Sequence, residues 1–264
     1  MSRDGLRLLF IGDVVGKPGR RAVRSILPAW REREGFDLVL ANAENAAGGF
    51  GLTPPVAAEL FEAGVDFLTL GNHAFANRDV AGLLANEPRV IRPANYPAGA
   101  PGRGAALHDA GGGRRLGILN LLGRVFMEPL DDPFAVGERE LARLRAETPF
   151  LLVDFHAEAT SEKLAFGWFA DGKASAVVGT HTHIQTADER ILPQGTGYIT
   201  DVGMSGPRDG VLGIEKSLIV RKFQTQLPVR FEVAGGPAGI DALGLDLDGA
   251  GRTIGIRRYK VEME

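Results

Sequence analysis

Seven side chains of metal-ligand type stand where short apolar runs give way to polar residues: Asp13, Glu44, Asn45, Asn72, His156, His181 and His183. Leu6–Ile11 leads into Gly12-Asp13, and Asp37–Ala41 into Asn42-Ala43-Glu44-Asn45. Phe67–Leu70 leads into Gly71-Asn72-His73, Phe150–Phe155 stops at His156, and Ala174–Gly179 runs into Thr180-His181-Thr182-His183. Of the five histidines, only His108 lies away from these points. Two divalent ions about 4 Å apart need one carboxylate shared between them and a surrounding set of terminal donors. Glu44, in a glycine-lined turn, is the natural bridge. Asp13 offers a monodentate carboxylate, Asn45 and Asn72 offer amide oxygens, and the three histidines offer neutral imidazoles. His181 and His183 flank one residue, so an extended segment would turn both rings to the same face. Such a mixed nitrogen and oxygen set suits Mn, Fe, Zn or Co.

The elements that must carry these side chains show as an alternation of buried runs and amphipathic segments. Leu6–Ile11 reads as a strand and Gly19–Glu34 as a helix with a basic outer face. Asp37–Ala41 is a second strand, followed by a helix that starts at Thr53 with Pro54 and Pro55 in its first turn and runs to about Ala63. Phe67–Leu70 is a third strand, and a further helix begins near Asn77. This β-α-β-α-β order implies a parallel sheet with helices on its faces. In open α/β sheets, ligands gather outside the carboxyl ends of the strands. A single Asp, Asn or Gly at such an end can simply form a turn. Five strand ends out of five ending in metal-type donors is much harder to explain that way.

The pattern recurs with a helix over Pro133–Ala146, a strand over Phe150–Phe155, a helix over Ser161–Ala170 and a strand over Ala174–Gly179. Between the two blocks, the glycine- and proline-rich Pro93–Gly113 reads as loops and edge hairpins, with His108 an ordinary loop histidine. After Thr196 the chain turns to short strands and glycine turns, ending in Thr253–Val261. Residues 1–264 read as one domain with two sheet-containing halves.

The bulk properties narrow the chemistry. A chain of 264 residues, 44% apolar and 24% charged, can bury a sizeable core. A formal charge of −3 argues against a protein that coats nucleic acid, although a nucleotide or short oligonucleotide substrate is compatible with it. With no cysteine, thiolate zinc sites, iron–sulfur clusters and a cysteine nucleophile are excluded. The first residues run straight into a strand without the features of a signal peptide, and no apolar run approaches the ~20 residues of a membrane helix. The expectation is a soluble, cytoplasmic protein with no membrane association.

Other patterns carry less. Gly12–Lys17 has the wrong spacing for a phosphate loop, and Pro18 stands where its Ser or Thr would be. Gly48, Gly49 and Gly51 read as turn formers beside Glu44. Lys17, Arg20, Arg21 and Arg24 read as a solvated helix face, and Phe166, Trp168 and Phe169 as core. No GxSxG elbow is present.

Asp13 in GDVVG, Glu44 in NAEN, Asn72-His73 in GNH, His156 and GTHTH, in that order, resemble the calcineurin-like metallophosphoesterase superfamily. Within it, GDVVGKPGR, NAENAAGG, DFHAEATSEK, GTHTHIQTADE and GTGYITDVGMSG resemble the YmdB-like bacterial phosphodiesterases over essentially the whole chain. Two departures from the wider superfamily, Val15 in place of a histidine and Glu44 in place of a bridging aspartate, are shared by that subgroup. The AFAN segment after His73 departs from the subgroup as well, and bears on substrate contacts rather than on the metal site.

The resemblance implies an α/β fold, a four-layer α/β/β/α sandwich with a dinuclear metal site at the C-terminal strand ends. It implies hydrolysis of cyclic nucleotides, 2′,3′-cyclic nucleotides favoured, by a hydroxide shared between two transition-metal ions, with Fe or Mn favoured and Zn admissible. Carried over by position, Asp13, Asn45 and His183 would serve one ion, Asn72, His156 and His181 the other, and Glu44 both. His73 would be the catalytic histidine that protonates the leaving oxygen. Homo-oligomers are common among such enzymes, and short RNA is a conceivable partner. A phosphomonoesterase or nucleotidase on the same site, and a metal-containing regulatory protein that binds nucleotide or RNA, stay open as alternatives.

Overall fold

A computed structural model describes residues 4–263. The first half builds β1 (Leu6–Ile11), β2 (Asp13–Val14), α1 (Gly16–Glu34), β3 (Leu38–Asn42) and α2 (Pro54–Glu62). It continues through β4 (Phe67–Thr69), α3 (Val80–Asn86) and β5 (Val90–Ile91). The leucines and isoleucine of β1 are buried on both faces, which is why the strand reads as a continuous apolar run. Helix α1 ends at Gly35, whose φ of 67° lets its N–H reach back to the Arg31 carbonyl. Thr53 precedes α2 as expected, although its side chain makes no capping hydrogen bond and the start is set by Pro54 and Pro55.

The second half contributes β6 (Ala105–Gly111), β7 (Arg114–Leu122), α4 (Pro133–Arg145), β8 (Phe150–His156), α5 (Thr160–Ala170) and β9 (Ala176–Thr180). The chain then forms β10 (Arg190–Ile191), β11 (Gly197–Ile199), β12 (Met204–Pro207), α6 (Lys216–Thr225), β13 (Ala238–Leu247) and β14 (Thr253–Glu262). Asp132 caps α4 by accepting the Phe134 N–H at 2.9 Å, with Pro133 as the first helical residue.

Among the described residues these strands form two sheets. One has eight strands in the order β2-β12-β13-β1-β3-β4-β5, with β14 also paired to β13. The neighbours β1, β3, β4 and β5 are parallel, while β13 runs antiparallel to β1, β12 and β14. The other has six strands in the order β10-β11-β9-β8-β7-β6, parallel through β11, β9, β8 and β7 with antiparallel edges.

The two-residue period of the strands splits their side chains between separate cores. Leu6, Leu8 and Phe10 of β1 pack with Phe150 and Leu152 of β8 in a core that both sheets share. Leu9 and Ile11 face a second core with Val23, Leu27 and Trp30 of α1 and Leu60 of α2. Leu151, Val153 and Phe155 face a third, with Leu141 of α4 and Phe166 of α5. Both sheets therefore end their parallel strands toward one region.

Three expectations change. His108 lies in strand β6 rather than a loop, its ring edge-on to Phe67 at 5.5 Å. The basic face of α1 is only partly solvated: Arg20 bonds Glu59 and the Ala46 carbonyl, each at 2.6 Å, and so ties α1 to α2 and to the turn carrying Glu44. Trp168 is 52% exposed, because only Phe166 of the α5 aromatics points fully inward. Among the described residues, no helix is long and apolar enough to cross a membrane.

Candidate metal centre

Asp13 opens β2, Glu44 and Asn45 lie in the turn after β3, and Asn72 and His73 lie in the turn after β4. His156 is the last residue of β8, and His181 and His183 lie in the turn after β9. All seven expected ligands and His73 come together here, four of the ligands from one sheet and three from the other.

More donor atoms converge here than hydrogen bonding alone explains. His156 Nε2 faces Glu44 Oε1 at 3.0 Å, Asn72 Oδ1 at 3.0 Å and His181 Nδ1 at 3.1 Å. One ring nitrogen carries at most one proton, so three such contacts leave lone pairs aimed at a shared point, as around a cation. On the other side, His183 Nε2 is 3.7 Å from Asp13 Oδ1 and 3.3 Å from Asn45 Nδ2. Glu44 Oε1 also lies 3.3 Å from Asn45 Nδ2, so this carboxylate touches both groups. Asp13 Oδ1 is buried and has no hydrogen-bond partner among the described residues. A Cβ on Gly71 would collide with His156 Nε2 and Glu44 Oε2, so glycine leaves the space in front of them open. An unpartnered buried carboxylate oxygen and converging imidazoles fit an oxygen- and nitrogen-ligated transition metal. Ligation by Asn45 would use its amide oxygen, which is reached by turning over the amide, a group of nearly symmetrical shape.

The electrostatics agree with this crowding. Burial pushes the Asp13 carboxyl up, against the pull of His183 and His156. Burial also opposes ionisation of Glu44, but the adjoining His156 outweighs it and holds Glu44 well below the usual carboxylate range. His156 responds in kind: burial favours the neutral ring, yet Glu44 pushes it up to about 9. Burial and the neighbouring charge on His156 push His181 down to about 3.

The turn after β9 is not extended. His181 has φ 95° and His183 φ 63°, a left-handed backbone that costs non-glycine residues energy and persists only where surroundings impose it. Here they do. The His181 N–H donates to Asp13 Oδ2 at 3.2 Å, and Asp201 Oδ2 accepts the Thr182 N–H at 3.0 Å and its hydroxyl at 2.6 Å. Lys163 Nζ from α5 closes the set, 2.9 Å from Asp201 Oδ2 and 3.2 Å from Thr182 Oγ1.

Lys163, Asp201 and Asp154 are supporting residues that the sequence reading passed over. Asp154 accepts from Thr69 Oγ1 at 2.5 Å, Asn42 Nδ2 at 3.1 Å and Thr180 Oγ1 at 2.7 Å, and Thr180 Oγ1 in turn lies 2.9 Å from His156 Nδ1. Such outer partners orient a ligand ring. A signal for two of them was available: Asp154 interrupts the apolar FLLVDF, and Lys163 shares a helix face with buried Phe166, Gly167 and Ala170.

His73 sits at the rim, its side chain 31% exposed. Its N–H donates to Glu44 Oε2 at 2.8 Å, its Nδ1 is 2.9 Å from Asn45 Oδ1, and its ring meets Phe50 edge-on at 5.0 Å. With Nδ1 engaged, Nε2 is the nitrogen left for a substrate.

A family model described as YmdB-like protein matches residues 9–259. A Bacillus subtilis (strain 168) protein named 2′,3′-cyclic-nucleotide 2′-phosphodiesterase is 49% identical over 243 residues, 92% of each chain. The crystal structure of a hypothetical protein from Thermus thermophilus superposes with a TM-score of 0.93 at 46% identity, covering 98% of this chain and 100% of that one. That of a phosphatase from Mycoplasma pneumoniae gives 0.92 at 33% identity, covering 98% and 94%.

Proposed function

The chain belongs to the YmdB-like protein family, and from that premise we propose that it is a metal-dependent phosphodiesterase that opens 2′,3′-cyclic nucleotides. In this reading Asp13, Asn45 and His183 hold one ion, Asn72, His156 and His181 hold the other, and Glu44 is shared. The three stacked cores are then those of a four-layer α/β/β/α sandwich, with Fe or Mn the favoured ions. The observation that carries the proposal is the convergence of Glu44, Asn72 and His181 on His156 Nε2, beside the unpartnered Asp13 Oδ1. The name of the Bacillus subtilis relative supports the substrate class.

Bound ions would supply Lewis acidity toward the phosphoryl oxygens and a water nucleophile at neutral pH. The protein's own residues do the rest. Water adds to phosphorus, the bond from phosphorus to O2′ breaks, and the departing O2′ takes a proton from His73 Nε2, leaving a nucleoside 3′-phosphate. With the Asn45 amide turned over so that its oxygen faces an ion, its Nδ2 would donate to His73 Nδ1, fixing the ring with its proton on Nε2 and aiming Nε2 at the leaving group.

The test is hydrolysis of 2′,3′-cAMP, bis-p-nitrophenyl phosphate and the mono-ester p-nitrophenyl phosphate by chelator-stripped protein reloaded with Mn²⁺, beside Glu44→Ala and His73→Ala. Glu44→Ala is expected to lose metal and turnover together. His73→Ala is expected to keep the metal and lose roughly 10²–10⁴-fold in turnover. Loss of metal from His73→Ala would remove its catalytic role, and turnover only of a mono-ester would replace the diesterase with a phosphomonoesterase.

A further inference from the structure

A cavity of about 340 Å³ opens from the candidate centre, lined by two chemically different sets of residues. One set is polar: Glu44, Asn45, His73, His181 and His183. The other is apolar, made of Phe50, Ile219, Phe223, Phe231, Val211 and Leu212, and Phe50 and Leu212 of this set touch His73 and His183. This volume falls in the range of small-molecule sites, which are apolar with a few convergent polar groups.

The apolar wall has no structural explanation within the chain. Phe223 is 74% exposed, Phe50 45% and Phe231 39%. Helix α6 buries none of its residues, yet Ile219 and Phe223, four apart and so on one face, both line the cavity. Phe50 is turned into the cavity by flanking glycines, Gly49 at φ 102° and Gly51 at φ 76°, which side-chain-bearing residues rarely adopt. The glycines beside Glu44 thus present an aromatic ring next to His73 as well as making a turn. Exposed aromatics clustered against a buried polar centre mark a surface that a ligand covers.

Resting on the phosphodiesterase reading above, we infer that this cavity holds the nucleobase of the cyclic nucleotide, stacked on Phe223 and Phe231 while the ribose spans the distance to His73. The occupant must present a flat, apolar face to the rings and, on the phosphodiesterase reading, an anionic group to the polar set. The wall offers rings but no donor or acceptor pattern to read a base edge, so binding is by stacking and tolerates every base.

The test is calorimetric titration of the Mn²⁺-loaded protein with adenosine 3′-monophosphate, uridine 3′-monophosphate and base-free glycerol 2-phosphate. The proteins are wild type, Phe223→Ala, Phe231→Ala and Phe223→Trp, with sedimentation velocity and 2′,3′-cAMP hydrolysis measured alongside. Each alanine change is expected to weaken adenosine 3′-monophosphate roughly 5- to 150-fold, the range for loss of one base–aromatic stack. The loss should be confined to ligands that carry a base, Phe223→Trp should retain affinity, and uridine should bind within about tenfold of adenosine. Alanine variants that bind adenosine 3′-monophosphate as tightly as wild type, while wild type turns over 2′,3′-cAMP, overturn the base site and leave the reaction standing. Phenylalanine-dependent binding without turnover does the reverse. Variants that change sedimentation but not nucleotide affinity give the wall to a second copy of the chain and overturn the inference.

Discussion

Replacing Lys163 by methionine tests whether the turn carrying His181 and His183 is held by a buried ion pair. Lys163 and Asp201 are 1% and 0% exposed, and their charged atoms are 2.9 Å apart. Removing one partner of such a pair strands the other charge without solvent, which typically costs about 3–5 kcal/mol. Asp201 would keep three donors, the Thr182 N–H and hydroxyl and the Gly203 N–H at 2.8 Å, so the lower end, about 3 kcal/mol, is expected. For a chain of this length that is a fall of roughly 6–12 °C in Tm. Urea unfolding of the metal-free protein measures it, with Lys163→Met/Asp201→Asn expected to recover at least about 1 kcal/mol over the sum of the single losses. The same change removes the Lys163 contacts to Asp201 and to Thr182 Oγ1 that back the strained turn, so Mn²⁺ affinity should fall about 10- to 100-fold, as for other groups that orient ligands. Leu144→Ala, in the core of α4 and away from the centre, is the control: it should cost about 2–5 kcal/mol and leave metal affinity unchanged. A Lys163→Met protein within about 1 kcal/mol of wild type would refute the energetic argument. Equal metal affinity despite lost stability would refute the positioning role.

Gly71→Ala should abolish metal binding in a protein that still folds, because the new methyl group occupies the space in front of His156 Nε2 and Glu44 Oε2; metal analysis with circular dichroism checks both halves of that statement. Chelation should lower Tm, and above saturation each tenfold rise in free Mn²⁺ should add about 1.4 kcal/mol of stability per bound ion. Calorimetric scans at several Mn²⁺ concentrations therefore count the ions. A slope of about 1.4 rather than 2.8 kcal/mol per decade would rule out a dinuclear centre.

The strands of the parallel blocks and the residues at their ends were legible because burial on both faces makes such strands continuous apolar runs, and a parallel sheet delivers all its carboxyl ends to one side. Strand β7 is masked in the sequence by the glycines at 111–113 directly before it, which read as loop although they form the hairpin turn into it. Helix α6 was missed for a different reason. With no buried face, Leu218, Ile219 and Val220 give no helical period and look like a short strand. The strained turn at His181 and His183 was read as extended because its shape comes from Asp201 and Lys163, 18 or more positions away in the chain. Single residues with a misfit, such as Asp154 inside an apolar strand, were visible; what they bond to was not.

Strand β13 pairs with β1 across more than 230 residues, Leu6 with Leu247 through Ile11 with Ala242. At a synthesis rate of about 5–20 residues per second, β1 waits on the order of ten to fifty seconds for that neighbour. Until then one hydrogen-bonding edge of a strand with six apolar-dominated residues is open, the circumstance in which strands pair with the wrong chain. The late arrival of β13 and β14 leaves that edge of the nascent first sheet unpaired through most of translation, and non-local pairing is the expected slow step of refolding, which stopped-flow kinetics would measure.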